Sequence, residues 1–183
     1  MATAQDASAI ADIYAPYVRD TVISFEAEPP TAQQIEARLS ATLVRFPWLV
    51  ALACDRVVGY AYAGPHRTRE AYRWSADVSL YLDESVHRRG YGRRLYTGLL
   101  EILGAQGYVN AYAGIALPNA ASVGLHEALG FTHVGTFTQV GFKAGAWRDV
   151  GWWHRPLVDP PASPAEPRPW SGLPDSVLAA ALR

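Results

Sequence analysis

Two β-rich runs near the middle of the chain constrain the fold more than any other feature. WLVALAC (48–54) and VVGYAYAG (57–64) are separated only by Asp55-Arg56, and so short a connection suits an antiparallel hairpin. A third run, SADVSLYL (75–82), alternates apolar residues with polar or amphipathic ones, as a half-buried strand does. The centre of the fold is therefore predicted to be a sheet that begins with antiparallel pairing.

Helix and strand signals flank these runs on both sides. Thr31-x-x-Gln34 is a capping box ahead of an apolar stripe at helical spacing. Thr3-x-x-Asp6 starts an earlier helix, which Pro16 is expected to kink or end. Further helices are predicted over 91–105 and 121–129, and further strands over 108–115, 131–140 and 149–157. The pattern predicts one α/β or α+β domain with a mixed sheet.

The C-terminal segment differs in composition from the rest of the chain. After Leu157 it contains PPASPAEPRPW, which predicts extended backbone without a core of its own. SVLAAALR (176–183) is compatible with a short terminal helix. Residues 1–157 are therefore predicted to form the domain, and residues 158–183 a proline-rich tail.

Composition excludes several classes of protein. The chain has 183 residues, of which 50% are hydrophobic and 18% charged, as in a soluble globular domain. Its formal net charge of −1 gives no overall field that would attract nucleic acid or acidic membranes. No signal-peptide pattern and no apolar run of about 20 residues is present, so a cytoplasmic location without membrane attachment is expected. Cys54, the single cysteine, lies in an apolar run and is predicted to be a small core residue.

A glycine-containing loop lies between a predicted strand and a predicted helix. VHRRGYGRRL (86–95) places two glycines among four arginines. A helix N-terminus exposes unpaired N–H groups, and glycine lets a phosphate approach them closely. From this pattern alone, an ordinary glycine turn with solvated arginines is favoured. Leu95 stands where the dinucleotide fingerprint needs a third glycine, and the chain has no GK[ST], so neither a nicotinamide nor an ATP site is predicted.

The surroundings of this loop resemble the GNAT family of acyl-CoA N-acyltransferases, whose phosphate loop has the form Q/R-x-x-G-x-G/A. The resemblance covers about residues 3–157 and implies the GNAT fold, with a mixed and mostly antiparallel central sheet of about seven strands. Helices flank that sheet, which is splayed at strands four and five. Five stretches look like the phosphinothricin and methionine sulfoximine acetyltransferase branch: FPWLVA (46–51), AYAGP (61–65), AYRW (71–74), LPNAASVGLHEALGF (117–131) and GFKAGAWRDVGWW (141–153).

The resemblance assigns the contacts to acetyl-CoA to three segments. Loop amides are expected to hold the pyrophosphate, the fourth family strand to pair with pantetheine, and an asparagine to contact the cofactor. An ordinary core strand and a helix cap after Pro118 are the alternatives for the second and third segments. The first loop position is His87, where Gln or Arg is usual. The residues are Arg88, Arg89, Gly90, Tyr91, Gly92 and Arg93 in the loop, Leu80, Tyr81 and Leu82 in the strand, and Asn119.

Three catalytic roles follow from the same resemblance. Asp77 stands where related enzymes resemble W-x-x-E and use the glutamate as the base for the amine proton. Being shorter, Asp77 acts through a water or only binds the ammonium group, unless it is a surface carboxylate. The N–H of Leu80 is the expected oxyanion donor. His126 either protonates the leaving thiolate or helps with the amine, unless it is a partly buried, hydrogen-bonded histidine.

The acceptor end of the site is assigned to five residues. Phe25 and Glu28 match a family loop that closes over the acceptor. Tyr72 and Arg73 precede the strand of Asp77, and an arginine suits a carboxylate or phosphinate, although a solvated surface arginine is the alternative. Lys143, the only lysine, is expected to reach the substrate or a partner subunit's site. The remaining histidines have no clustered spacing with acids or cysteine, so no metal site is predicted.

These assignments predict an acetyl-CoA-dependent N-acetyltransferase. Its acceptor is expected to be the α-amine of a small amino-acid-like substrate such as phosphinothricin or methionine sulfoximine. A catalytically weak CoA-binding module and an N-acetyltransferase for another small amine are the alternatives. Branch members pair, and apolar area around Trp147, Trp152 and Trp153 predicts a homodimer.

Overall fold

A six-stranded mixed sheet forms the centre of the computed structural model, which describes residues 1–183. Its strand order is β1-β2-β3-β4-β6-β5, and every neighbouring pair is antiparallel except β3 and β4. None of the helices has the length and apolar composition that a bilayer span requires. The elements are α1 (Ala7–Arg19), α2 (Ala32–Leu43), β1 (Trp48–Ala53), β2 (Arg56–Pro65), β3 (Ser75–Leu82), α3 (Tyr91–Gln106), β4 (Asn110–Ala116), α4 (Ala120–Ala128), β5 (Thr132–Lys143), β6 (Ala146–Pro156) and α5 (Asp175–Ala181).

The GNAT fold predicted from the sequence is confirmed, with six strands where about seven were expected. No strand precedes α1. Ala2 makes a single backbone hydrogen bond, from its N–H to the carbonyl of Trp48 at 2.8 Å. The Thr3–Asp6 capping box then begins the first helical turn at once. Residues 1–6 therefore contribute one hydrogen bond to β1 and no ladder.

The splay that was expected between strands four and five of the family fold lies between β3 and β4 of this structure. These strands pair in parallel only at Ser75–Asn110, Ala76–Ala111 and Asp77–Tyr112. Beyond Asp77, β3 continues along β2 to Leu82, while β4 continues along β6 to Ala116. The two strands therefore diverge and leave an opening within the sheet.

Hydrophobic cores cover the two faces of the sheet. The larger core packs α3 against the sheet through buried residues such as Leu99 and Ile102. The smaller core packs α1 and α2 on the other face around Ile10, Ile35 and Trp48. The sheet is thereby fixed between two helical layers, which hold the splay open.

Pro16 was predicted to kink or end helix α1, and the helix does not end there but runs on to Arg19. Pro16 is on the exposed side of the helix, so the carbonyl of Asp12 that it leaves without a partner can be solvated. On the opposite side, Tyr14 and Val18 are buried. Tertiary packing of this face therefore outweighs the lost hydrogen bond.

Cys54 is exposed, which makes its predicted place in the core wrong. Ala53 pairs with Arg56, so Cys54 and Asp55 form a two-residue hairpin loop. Their φ angles of 49° and 60° are those of a type I′ turn. This turn faces away from the sheet and carries Cys54 into solvent.

The C-terminal segment packs against the domain. Leu173 and Ala181 are buried in the larger core. The indole N–H of Trp170 donates to the carbonyl of Leu43 at 2.8 Å, and the side-chain amide of Gln106 donates to the carbonyl of Arg168 at 2.7 Å. The proline-rich stretch is thus held along the protein, and α5 contacts α3.

The contact between α5 and α3 predicts the effect of a single methyl group. A Cβ at Gly98 would overlap the carbonyl oxygen of Ala181, so we expect Gly98→Ala to lower the free energy of unfolding by about 1–3 kcal/mol. Gly104→Ala in the same helix is the matched control, because its nearest neighbour, a methyl of Val158, is 3.9 Å away. That change is expected to stabilise by about 0.5–1 kcal/mol. Urea unfolding of both variants measures the difference, and equal effects would contradict the docking of α5.

Candidate active site

A cleft of about 920 Å³ occupies the opening between β3 and β4. Its walls come from the divergent ends of both strands, the glycine loop ahead of α3, and the first turns of α4. The lining residues include 78–82 of β3, 113–116 of β4, His87, Arg88, Gly90, Gly92, Arg93, Tyr96, Asn119, Ser122, Leu125 and His126, with Tyr17 and Ile23 at the rim. Most of the predicted cofactor-binding residues therefore face one space.

The backbone of β3 offers hydrogen-bonding groups to this cleft. Asp83 donates its N–H to the carbonyl of Val58 on β2 at 2.9 Å. Because the groups of an antiparallel strand alternate in direction, Tyr81 and Ser79 also point towards β2, while residues 78, 80 and 82 point away from it. The N–H and C=O of Leu80 therefore face the cleft without a strand partner, as an oxyanion donor or a pantetheine partner would require.

The glycine loop presents free amides at the other end of the cleft. Gly90 has a φ of 85°, in the left-handed region that glycine adopts without strain, and it is the N-cap of α3. The N–H groups of Gly90, Tyr91, Gly92 and Arg93 have no protein acceptor. These are the free donors of a helix N-terminus, where the helix dipole also favours an anion. A diphosphate fits this donor set.

The loop residues divide by the direction of their side chains. Arg88 and Arg93 line the cleft and add positive charge beside the free amides, whereas Arg89 and Tyr91 do not line it. Gly92 is buried, and a Cβ there would lie 3.3 Å from a methyl of Leu125 and 3.4 Å from a methyl of Leu82. Gly92 therefore keeps the loop backbone accessible where it meets the cleft.

His87 and Asn119 are both held by neighbouring groups. The hydroxyl of Tyr17 donates to the carbonyl of Leu82 at 2.7 Å, so it accepts from Nε2 of His87 at 3.2 Å. The side-chain oxygen of Asn119 accepts from the N–H of Ser122 at 3.1 Å and caps α4. Asn119 thus serves as the helix cap that was one of its two predicted roles, and it also lines the cleft.

His126 forms a buried pair with Tyr96 on the cleft wall. Its Nδ1 lies 2.7 Å from the carbonyl of Ser122, which can only accept, so Nδ1 carries the proton. Burial lowers the pKa of His126, which favours the neutral ring. Its Nε2 then accepts from the hydroxyl of Tyr96 at 3.1 Å. Neutral His126 therefore has no proton to give at Nε2, and the hydroxyl that faces the cleft beside it belongs to Tyr96.

Asp77 forms a short contact that the sequence did not reveal. Its Oδ1 lies 2.6 Å from Nδ1 of His66. Burial raises the pKa of Asp77, while the hydrogen bond and charge of His66 and the charge of Arg67 oppose that rise. About a third of the Asp77 side chain remains exposed. The carboxylate lies at the last paired position of β3, where the cleft begins.

Aromatic rings surround this carboxylate–imidazole pair. The ring of His66 stacks on Tyr112 of β4, with 4.3 Å between ring centres and 18° between planes. Trp152 and Tyr72 present their rings at steep angles, each 5.9 Å from His66. The exposed guanidinium of Arg67 lies over the Trp152 ring at 5.4 Å and has no carboxylate partner. Nη1 of Arg67 donates to the backbone carbonyl of His66 at 2.8 Å. This end of the site is therefore an aromatic box with one acid and one cation that no carboxylate pairs.

The predicted acceptor loop is anchored firmly. Lys143 donates from Nζ to the carbonyls of Val18 and Ser24, both at 2.6 Å, and of Glu26 at 3.0 Å. All three of its donors are therefore used, and Lys143 fixes the segment that carries Phe25. Phe25 is 42% exposed and packs over Gly141 of β5.

Arg73 and Glu28 do not meet at the aromatic box. Arg73 forms ion pairs with Glu70, at 3.2 Å, and with Glu166 of the C-terminal segment. Its guanidinium also lies over the ring of Trp74 at 5.3 Å. Glu28 is exposed and makes no ion pair. The structure therefore places Tyr72, but not Arg73, against the ring of His66.

Sequence reasoning missed His66, Arg67 and Tyr96. A signal for His66 was present in the sequence, because the pairing of β2 with β3 sets Gly64 opposite Asp77. His66 follows Gly64 by two residues and therefore lies near Asp77 in this hairpin. Tyr96 follows Gly92 by about one helical turn, so helical spacing alone predicts that both residues lie on the same face of α3. Arg67 has no such signal, since its position depends on Trp152 from a distant strand.

Comparison with known proteins agrees with this geometry. Residues 1–152 match the model of the acetyltransferase (GNAT) domain. Phosphinothricin N-acetyltransferase of Streptomyces viridochromogenes is 44% identical over 92% of this chain and 90% of its own. The L-methionine sulfoximine/L-methionine sulfone acetyltransferase of Pseudomonas aeruginosa PAO1 is 41% identical over 57% of this chain and 62% of its own.

Solved structures give the same answer. The phosphinothricin acetyltransferase of Sinorhizobium meliloti, crystallised with AcCoA, superposes with a TM-score of 0.86 and 35% identity, over 90% of this chain and 91% of that one. The predicted resemblance is thus confirmed at the level of sequence and of fold. The chain belongs to the GNAT family of N-acetyltransferases, among the relatives of the phosphinothricin and methionine sulfoximine enzymes.

Proposed function

We propose that this protein transfers an acetyl group from acetyl-CoA to the α-amine of a small amino-acid-like substrate such as phosphinothricin or methionine sulfoximine. The observation that carries the proposal is the arrangement of one cleft. Free amides and two arginines line it, and the Asp77–His66 pair lies beside it, one residue before Val78, the first residue of β3 that lines the cleft. An anionic co-substrate in the cleft and a cationic amine beside Asp77 could therefore meet where β3 and β4 separate.

Acetyl-CoA would be held by groups that have no other partner. The amides of 90–93 suit the pyrophosphate, with Arg88 and Arg93 adding charge. The outward-facing backbone of β3 suits the pantetheine amides. The N–H of Leu80 is then the donor for the oxyanion that forms when the amine attacks the thioester. In this assignment the side chains of Arg89 and Tyr91 have no role in binding acetyl-CoA.

Two protein groups would manage the protons of the reaction. An ammonium group is not a nucleophile until it loses a proton, and the Asp77–His66 pair would accept that proton where the pairing of β3 with β4 ends. The Tyr96 hydroxyl lines the same cleft, and it would have to turn from Nε2 of His126, to which it donates its one proton, before it could protonate the departing sulfur. His126 would thus orient Tyr96 and not act as the acid itself.

The acceptor is expected to carry an anionic or strongly polar group at its far end. Arg67 is the arginine beside Asp77 without a carboxylate partner, whereas Arg73 is already paired with two. A guanidinium suits a carboxylate or phosphinate through two parallel hydrogen bonds. Tyr72 and the ring of Trp152 would then bracket the methylenes between the two ends. This moves the anion-binding role proposed for Arg73 to Arg67.

Acetyl-CoA binding is expected to depend on the absence of a side chain at Gly92. Gly92→Val would fill the meeting point of loop and cleft, and we expect the Kd for acetyl-CoA to rise by roughly tenfold or more, about 1.4 kcal/mol. Gly124→Val is the control, because it is a helix-interior glycine with open space around its Cβ. Calorimetry on both folded variants measures the effect. Unchanged affinity in Gly92→Val would remove the loop from the cofactor site.

Acceptor selection is tested by kinetics with phosphinothricin, methionine sulfoximine and a simple alkylamine. Loss of a hydrogen bond to a charged group costs about 1.5–3 kcal/mol. Arg67→Gln should therefore raise the KM for phosphinothricin by about tenfold to a hundredfold and leave the KM for the alkylamine nearly unchanged. Arg73→Gln is the matched comparison and should have the smaller effect.

The outcomes of this experiment separate the alternatives. If only Arg73→Gln raises the KM, Arg73 must leave Glu166 to bind the substrate. If the wild type acetylates only the alkylamine, the acceptor is another small amine. Binding of acetyl-CoA without turnover of any amine would mean a CoA-binding module and would overturn the proposed activity.

We also propose that the protein forms a homodimer through the β5–β6 hairpin. β5 is the edge strand of the sheet, and its exposed apolar residues include Val134, Phe137 and Phe142. Trp147, 60% exposed, packs its ring against Phe142. Trp153 does not contribute, since it is buried in the larger core. Exposed apolar groups at one edge are the usual mark of an interface.

Dimer formation predicts an oligomeric state that one charge can change. We expect light scattering at micromolar concentration to give twice the mass of one 20.0 kDa chain. Phe142→Asp should shift the population to the monomer, because it places a charge in the apolar contact. Val44→Asp, at a residue 73% exposed outside the hairpin, is the control and should leave the mass unchanged. A monomeric wild type would exclude the dimer.

A further inference from the structure

We propose that His66, and not Asp77, accepts the proton of the substrate amine, and that Asp77 positions and charges the imidazole. The base of this site would then be an imidazole–carboxylate pair. This inference rests on the proposed N-acetyltransferase activity and assigns the first proton transfer within it. Three features support this inference: the direction of the His66–Asp77 hydrogen bond, the position of the His66 ring, and the charge that the pair carries after it takes up a proton.

The hydrogen bond leaves one nitrogen of His66 available. An ionised carboxylate can only accept, so the 2.6 Å contact to Oδ1 of Asp77 places a proton on Nδ1. No protein group hydrogen-bonds to Nε2. A neutral ring in this tautomer carries its lone pair on Nε2, which is the atom that takes up a proton. The carboxylate thereby fixes which nitrogen serves as the base.

The ring lies where an amine must arrive to reach the cleft. Tyr112, on which the ring stacks, pairs with Asp77 at the last parallel position before β3 and β4 diverge. The first lining residue of the cleft on β3 is Val78, directly beyond. Tyr112 and Trp152 restrict the rotation of the ring, and 12% of the His66 side chain remains exposed. The imidazole is therefore held in place at the entrance to the splay.

Charge also favours the imidazole as the acceptor. A proton on His66 produces an imidazolium beside the Asp77 carboxylate, and a charge-assisted hydrogen bond then holds the pair. A proton on Asp77 would instead cancel the charge that the short contact uses. The imidazole also extends the reach of the Asp77 carboxylate by the width of its ring.

The proton balance of the reaction is complete with this assignment. Nε2 of His66 takes one proton from the ammonium group and later releases it to solvent. The freed lone pair forms the N–C bond to the thioester carbon, and the C–S bond breaks. The nitrogen loses a second proton as the amide forms, and the thiolate sulfur takes up one proton. One ammonium and one thioester thus give one amide, one thiol and one proton in solution.

The experiment compares His66→Asn with Asp77→Ala and the double variant. The amide nitrogen of asparagine can keep the hydrogen bond to Asp77 but cannot act as a base. We expect His66→Asn to lower kcat by about 10²–10⁴-fold, the usual contribution of a general base. The Kd for acetyl-CoA should stay within about threefold. Because both residues act as one unit, the double variant should lose far less than the product of the two single losses.

Chemical rescue supplies a measurement that a structural role would not change. In His66→Ala, the space between Tyr112 and Trp152 can accept free imidazole, which should raise kcat in proportion to its concentration. Asp77→Ala, which keeps His66, is the matched control and should gain little. Circular dichroism and acetyl-CoA affinity confirm that each variant is folded, and His66→Gln replaces any variant that is not.

The possible results distinguish this inference from the proposed function. A kcat within threefold of wild type in His66→Asn, together with a large loss in Asp77→Ala, would make Asp77 the base and overturn the inference alone. Absence of imidazole rescue in folded His66→Ala would do the same. A wild type that turns over no amine would overturn the proposed function and, with it, this assignment.

Discussion

The early end of pairing between β3 and β4 is the constraint on which the site depends. Only three residue pairs join these strands, and the last joins Asp77 to Tyr112. Beyond it, the backbone of β3 has hydrogen-bonding groups that a continuous sheet would have satisfied internally. Such a gap in a sheet is stable only if the strands are held from outside, which the β2 and β6 ladders and the two helical layers do. The fold therefore uses its rigidity to keep one set of backbone groups free for a ligand.

The parts of the fold with local signals were predictable. The short connection at Asp55-Arg56 predicted the first hairpin, although the structure sets its two-residue loop one position earlier, at 54–55. The capping box at Thr31 set the start of α2, and Gly90 marked the start of α3. A helix end at Pro16 and a core position for Cys54 were both wrong for the same reason, because each rested on a local preference without its tertiary contacts. Burial of one face of α1 outweighed the proline, and turn geometry outweighed the apolar neighbours of Cys54.

Contacts between distant segments decide which charged side chains are available to a ligand. No signal for these contacts was present in the sequence. Arg73 pairs with Glu166, which is 93 residues further along the chain. Lys143 donates to carbonyls 117 to 125 residues away. Both looked like free cations, and both are occupied in the folded protein. A lone positive charge in a sequence therefore says little about ligands until its carboxylate and carbonyl neighbours are known.

Charges of opposite sign lie within the cleft and beside it. In the glycine loop, free amides, the helix dipole and two arginines favour an anion. Beside the cleft, Asp77 is the acid of the aromatic box, and burial raises its pKa. The hydrogen bond from His66 opposes that rise, although burial has the larger effect. If His66 takes up the amine proton as proposed, the negative charge of Asp77 stabilises the imidazolium that forms. Asp77 and His66 then act as one unit, and neither can be interpreted without the other.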